Sequence, residues 1–465
     1  MTTLAGQGTS ATVSEPRDRG VLKFAAIAVG FVMAALDATV VNVAGASIKE
    51  KLGLGIDHLT WVVDGYMLTF ASLLLLAGAL GTRFGAKRVY LLGMALFVVS
   101  SVACGLAPNG DVLVAARVVQ GVAGALFLPV SLVLLVGAFP DPARRARMVA
   151  LWSAAGAGAS GLGPVVGGVL VDTFGWRSIF LLNLPIGIIG FLLTAKLIAP
   201  VAEDTGRRIA LPGHVFGVLA LAGLSYALIE GPAKGWASAP ILVSAAGFVV
   251  FAVVFVAHEV RSDAPILPTN LFGRAAFSVP NAVGFLLNFG LYGVLFMIGL
   301  FLQQVHGASP LRAGLQMLPM MIVFVVGNLF VAKIVPKVGT RLPMICGLSV
   351  AGVASVLMAF ISPQTPYWQL ALAMSIANLG LGVTASAMTA ALVEGAGPGQ
   401  ASVASATFNA LRQVGTLVGV AVAGTVLASL ADWYGGARTT FLVAGVAYLL
   451  AVALVLRFVR SPQTR

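Results

Sequence analysis

Apolar runs of about 20 residues, separated by short segments rich in charge, Gly or Pro, recur along almost the whole chain. A run of that length crosses the hydrocarbon core of a bilayer as a helix. In lipid every backbone polar group must be satisfied within the protein, which favours helices wherever the runs are this long and this continuous. Fourteen such runs can be drawn, at about 22–44, 61–81, 89–107, 112–138, 148–171, 178–198, 213–231, 240–258, 277–302, 314–334, 342–361, 367–390, 403–430 and 439–458. Composition agrees: only 9% of the 465 residues are charged and 59% are hydrophobic, with a mean hydropathy of +1.00. That excludes an ordinary soluble domain.

The formal charge of +12 would suggest nucleic acid in a soluble protein. Here its placement explains it without such a partner. Most of the 28 Lys and Arg sit in alternate connecting segments, among them Arg83, Lys87 and Arg88; Arg144, Arg145 and Arg147; and Lys333, Lys337 and Arg341. The intervening segments hold few: Lys49, Lys51, Arg177, Lys234, Arg312 and Arg438. The positive-inside rule then places both termini in the cytoplasm. Trp61, Trp176, Trp236, Trp368 and Trp433 fall at the opposite ends of the spans, where an interfacial belt is expected. The first apolar run is too long for a signal peptide and reads as retained.

A weak repeat divides the chain. Gly78 to Arg88 joins the second and third spans, and Val331 to Arg341 joins the tenth and eleventh with similar Gly and basic residues. The fifth and thirteenth spans are both glycine-rich. These features predict a disordered tail (1–20), a six-helix bundle (21–200), a two-helix insert (201–262), a second six-helix bundle (263–460) and a short tail (461–465). The fold class expected is therefore all-α, with two pseudo-symmetric bundles and an inserted pair.

The segment Ala155 to Gly168 reads AGAGASGLGPVVGG. Gly156, Ser160, Pro164 and Gly168 form one helical row, and Ala159, Gly163 and Gly167 the next. Small residues at this spacing let helices approach closely in lipid. Packing between the two halves is the expectation for this segment.

Four segments together resemble the fourteen-span drug:proton antiporters of the major facilitator superfamily. They are Leu36 to Val43 in the first span; the Gly78–Arg88 loop with Gly78, Thr82, Arg83 and Gly85; Ala116 to Gly121 with Pro129; and Gly163-Pro164-Val-Val-Gly167-Gly168, followed by Gly175-Trp-Arg and Asn183 to Gly187. Gln303-Gln304, Leu318-Pro319 and Asn409 to Gly415 fit as well. The resemblance covers about Leu22 to Arg460. It implies a major facilitator fold and proton-coupled efflux of an amphipathic or hydrophobic small molecule by alternating access, in the plasma membrane, without cofactor or metal. Thr82 stands where the family's loop usually carries Asp, Ala86 where it carries a basic residue, and Gly45-Ala46 where it has Leu-Pro. Without that Asp the charge–dipole lock with a facing helix end is not expected in its full form; a Thr side chain can hydrogen-bond there, more weakly.

Single residues refine the expectation. A charged carboxylate at mid-span costs about 2.5–3.5 kcal/mol or more on insertion scales, so Asp37 must face the protein interior. A carboxyl able to be neutral or charged there is what proton coupling requires. Asp64 is either a second protonatable group or an acid favoured by its helix N-terminus. Arg117 either meets Asp37 or snorkels to the interface, and Arg412 is either internal or an inner-edge anchor. Glu230 and Glu394 read as solvated acids at span ends. Asn42, Gln120, Asn288, Asn409 and Arg412 are candidates for a substrate cavity; interhelical hydrogen bonds are the alternative for the amides. Met297, Met317, Met320, Met321, Phe289 and Phe296 form either an adaptable pocket or simple packing.

Cys104 and Cys346 lie in apolar runs, and the four histidines are scattered, so neither disulfide nor metal spacing is present. The chain has no HExxH and no GxSxG at a span end, which argues against a membrane-embedded enzyme. The expected partners are a small-molecule substrate, protons and the lipid bilayer, with the chain working as a monomer. Export of an endogenous metabolite, with drug resistance incidental, is the alternative function.

Overall fold

The computed structural model describes residues 17–201, 211–262, 265–397, 400–430 and 432–459. Regular structure among them is helical throughout. The elements are α1 (Arg17–Leu52), α2 (Ile56–Phe84), α3 (Ala86–Gly105), α4 (Gly110–Ala138), α5 (Pro142–Phe174), α6 (Ser178–Leu181), α7 (Asn183–Leu197), α8 (Leu211–Lys234), α9 (Ala239–Arg261), α10 (Thr269–Phe272), α11 (Ala275–Gln304), α12 (Pro310–Val338), α13 (Arg341–Met358), α14 (Tyr367–Ala396), α15 (Ala401–Ser429) and α16 (Trp433–Phe458). Fourteen membrane-length spans result, α6 and α7 sharing one.

Local chemistry sets many of the ends. Asn109, Asp141 and Ser309 each accept a hydrogen bond from a backbone N–H three residues on, at 3.0, 2.7 and 3.3 Å, and Pro142 and Pro310 follow two of these caps. The link between α2 and α3 is Gly85 alone, at φ +90°, a conformation open to glycine but strained for other residues. Gly339, at φ +75°, turns the chain between α12 and α13 in the same way. The structural repeat is thus one position out of step with the sequence alignment of the two loops.

The helix pairings confirm the internal symmetry. α1 packs on α5, α2 on α4, and α3 on α4 and α7; correspondingly, α11 packs on α15, α12 on α14, and α13 on α14 and α16. The halves meet where α5 touches α12, α2 touches α15, and α1 touches α11. α8 pairs with α9 and also contacts α2 and α15, bridging the halves.

Three apolar clusters fill the molecule. One draws on both halves, taking Val40 to Ile48 of α1, Leu59 to Val63 of α2, Leu295 to Leu302 of α11, and Val420 and Leu427 of α15. These stretches all lie at the end of the bundle away from the termini. The second belongs to the N-terminal half apart from Leu417, and the third to the C-terminal half. Met297, Met317, Met320 and Phe296 sit in the shared cluster at 3% exposure or less, so they are packing residues.

Several expectations need correction. Helix α1 starts at Arg17, inside the stretch expected to be tail; residues 1–16, the polar linker from residue 202 to 208 and the tail 461–465 lie outside the described residues. Trp176 is buried against Phe180 and Arg177 and does not join an interfacial belt. Glu230 is no solvated acid: it accepts from Trp61 Nε1 at 2.9 Å and pairs with Lys234 at 3.1 Å.

Candidate functional site: a buried ion pair and a closed end

Arg117 lies two turns into α4 and is fully buried. Its Nη1 pairs with Asp37 Oδ2 of α1, and both side chains are 1% exposed. The same Nη1 donates to Gln120 Oε1 at 2.7 Å, and Nε donates to the Val62 carbonyl of α2 at 2.9 Å. The guanidinium also sits over the Tyr66 ring, 4.3 Å from its centroid. Such depth is reached because α2 and α4 touch backbone to backbone: a Cβ on Gly121, one turn beyond Arg117, would run into the Tyr66 carbonyl. Snorkelling is therefore excluded for Arg117.

The other carboxylate oxygen of Asp37 accepts from Gln120 Nε2 at 3.0 Å and from Asn183 Nδ2 at 3.4 Å. Ser101 Oγ accepts from Gln120 at 2.7 Å and from Asn183 at 2.9 Å. Side chains of four spans and a backbone carbonyl of a fifth, α2, thus contribute to one polar network. Burying a charge pair is tolerable only with such additional partners, and removing one member leaves an uncompensated charge. Asn183 and Ser101 were not anticipated as site residues. Their signal was a polar residue within an apolar run, which by itself cannot say which helix it faces.

Asp64, in the third turn of α2, is fully buried, and neither carboxylate oxygen has a hydrogen-bond partner among the described residues. Asp57, not Asp64, is the first-turn acid of that helix. Gln120 belongs to the ion-pair network. Asn42 is 4% exposed, donates only to carbonyls of its own helix, and packs against Gly299 of α11. Neither of these two is an open cavity wall. Asn409 is exposed. Arg412 and Asn288 are joined, Arg412 Nε donating to Asn288 Oδ1 at 3.2 Å, and Asn288 Nδ2 donating to Thr416 Oγ1 at 3.1 Å.

The glycine-rich α5 divides its two rows. Gly163 and Gly167 face Thr39 and Val40 of α1, inside the same half. Gly168 faces Pro310 and Leu311 of α12, and the Pro164 carbonyl abuts Gly314 of α12. Only the Pro164–Gly168 row, then, packs between halves. The expectation that Gly163 does so is corrected: its neighbour is α1. Around this seam lie further contacts between the halves. Asp172 Oδ2 accepts from Ser309 Oγ at 2.9 Å and from the Leu311 N–H at 3.2 Å, Gln303 donates to the Val43 carbonyl at 2.9 Å, and Gly424 packs on Thr60.

The stretch expected as a loop from Gly78 is instead the end of α2, where Thr82 Oγ1 donates to the Gly78 carbonyl at 3.1 Å. Space next to Gly78 is open, and Arg83 lies against the Phe84 ring. Gly85 provides the turn already described.

Comparison with known proteins agrees with this architecture. The Major Facilitator Superfamily model matches residues 27–420. The methylenomycin A resistance protein of Streptomyces coelicolor is 50% identical over 96% of this chain and 93% of its own length. The protein of the same name from Bacillus subtilis is 46% identical over 95% of each. The multidrug resistance protein Stp of Mycobacterium tuberculosis is 35% identical over 88% of this chain and 76% of its own. A POT peptide transporter solved with sulfate shares the fold, with a TM-score of 0.68 at 16% identity over 96% of this chain and 94% of that one. Twelve spans in two pseudo-symmetric halves with a further pair inserted between them, a buried ion pair held by side chains of four spans, and these relatives lead to one conclusion: the chain belongs to the major facilitator superfamily and is a multi-pass membrane transporter, not an enzyme.

Proposed function

We propose that this chain exports an antibiotic or similar small amphipathic molecule in exchange for protons, by alternating access of its two halves. The observation that carries the reading is the Asp37–Arg117 pair, an acid and its counter-charge sealed at membrane depth between α1 and α4. Breaking so enclosed a pair requires α1 and α4 to move relative to each other, which would couple the charge state of the site to helix movement. Asp64, buried without a hydrogen-bond partner among the described residues, is the second proposed proton site. Relatives named for resistance to methylenomycin A and to several drugs support export as the direction.

With both termini cytoplasmic in the plasma membrane, the closed end becomes the outer end, and the state described is closed to the outside. The Pro164–Gly168 row, Asp172 and Gln303 then form the outer seam. The proton gradient supplies the energy, and a monomer suffices because each half contributes one wall. Export assays in everted vesicles test the reading: wild-type protein should accumulate substrate when the lumen is acidified, and Asp37→Asn should not. Wild-type rates in Asp37→Asn would overturn it.

A further inference from the structure

Arg412 differs from Arg117 in one respect that bears on the substrate. Arg117 is matched by Asp37, but Arg412 has no carboxylate partner among the described residues; its one hydrogen bond is from Nε to Asn288. It lies three turns into α15, and Asn288 is near the middle of α11 and 2% exposed. The Arg412 stem passes over Gly284, where a Cβ would come within 3.2 Å of Cγ, and the guanidinium lies 5.6 Å from the Phe408 ring centroid. The side chain is therefore tied inward, along the seam of α11 and α15, and does not reach for headgroups.

With Nε engaged, the two terminal amino groups of the guanidinium remain as a pair of parallel donors. That fork matches a carboxylate, and an arginine whose orientation is already set loses little freedom on binding one. A cation kept at membrane depth without an anion is costly, and it persists where a ligand supplies the missing charge. We infer that Arg412, steered by Asn288, is the recognition residue for a carboxylate group on the transported molecule, so the substrates are amphipathic organic acids. This rests on the export reading for the word substrate, though not for the binding itself.

Full-length protein in nanodiscs separates the two. Binding is measured for a panel of amphipathic monocarboxylates and their neutral primary amides, beginning with 4-phenylbutyrate and 4-phenylbutyramide. Wild type should bind at least one acid about tenfold or more tightly than its amide, the value of a charge-assisted pair. Arg412→Gln should bring that ratio close to one, with the larger loss on the acid, and Arg412→Lys should retain part of it. The inference is overturned if no acid in the panel outbinds its amide on wild type, or if Arg412→Gln keeps the preference. Everted-vesicle flux, measured in parallel, reports on export alone. Acid preference without flux would count against the export reading and leave this one standing, and proton-driven flux of neutral drugs without acid preference would do the reverse.

Discussion

The backbone of Leu311 passes so close to Gly168 that a Cβ on the glycine would lie 2.6 Å from the Leu311 Cα. The two residues belong to different halves, so this contact exists only while that end of the bundle is closed. Gly163, five residues earlier on the same helix, meets Thr39 of its own half. Replacing the two glycines should therefore have different consequences. Gly168→Leu should leave each half folded, hold this seam apart and abolish export. Gly163→Leu should strain α1 against α5, at the cost of about 1–3 kcal/mol typical of overpacking, and lower thermal stability. Spin labels at Thr173→Cys and Leu315→Cys, with Cys346 replaced by Ser, report the seam. A longer distance is expected for Gly168→Leu and an unchanged one for Gly163→Leu.

Asp172 caps the start of α12 from the opposite half, through Ser309 and the Leu311 N–H. Losing a capping acceptor costs about 1 kcal/mol, which corresponds to about a fivefold change in a two-state ratio. Asp172→Ala should shift the same label pair toward the open distance by about that ratio. Asp172→Asn, which keeps an acceptor, should shift it less.

The Asp37–Arg117 pair predicts a double-mutant pattern. Removing one partner leaves a buried charge, so Asp37→Asn or Arg117→Gln should each destabilise the protein by about 3–5 kcal/mol. The combined variant should be more stable than the sum of the two losses, because neither charge remains. Thermal unfolding in one detergent checks this, and strictly additive losses would mean that the two groups are not coupled. Arg117→Lys should keep part of the export that Arg117→Ala loses, since it retains the charge but not the planar fork.

α8 is fastened to both halves near the closed end. Trp61 of α2 donates to Glu230, and Thr425 of α15 donates to the Leu228 carbonyl at 2.6 Å. Glu230→Ala should weaken the strap on the α2 side and Thr425→Val on the α15 side, each by about 0.5–1.5 kcal/mol. Glu230→Gln, which can still accept from Trp61, should stay within about 0.5 kcal/mol of wild type in thermal unfolding.

The spans were legible because hydrophobic length and the placement of basic residues are properties of the chain itself. Runs of about 20 apolar residues become helices wherever they meet lipid, and Lys and Arg orient them irrespective of neighbours. The Gly85 turn and the Asn109, Asp141 and Ser309 caps are just as local, though only the structure picked them out. Facing was not. Gly163 and Gly168 share one motif, yet a turn and a half of helix sends one toward α1 and the other toward α12. Asp37 and Arg117 could be named as candidates, but Ser101 and Asn183 joined them only through packing. Glu230 looked like a loop acid until α8 laid it against Trp61. Apolar length, then, specified the helices, because that depends on the solvent a segment meets. Which polar group meets which was decided by tertiary packing alone, because inside a bilayer every helix face is apolar enough to hide how it is turned.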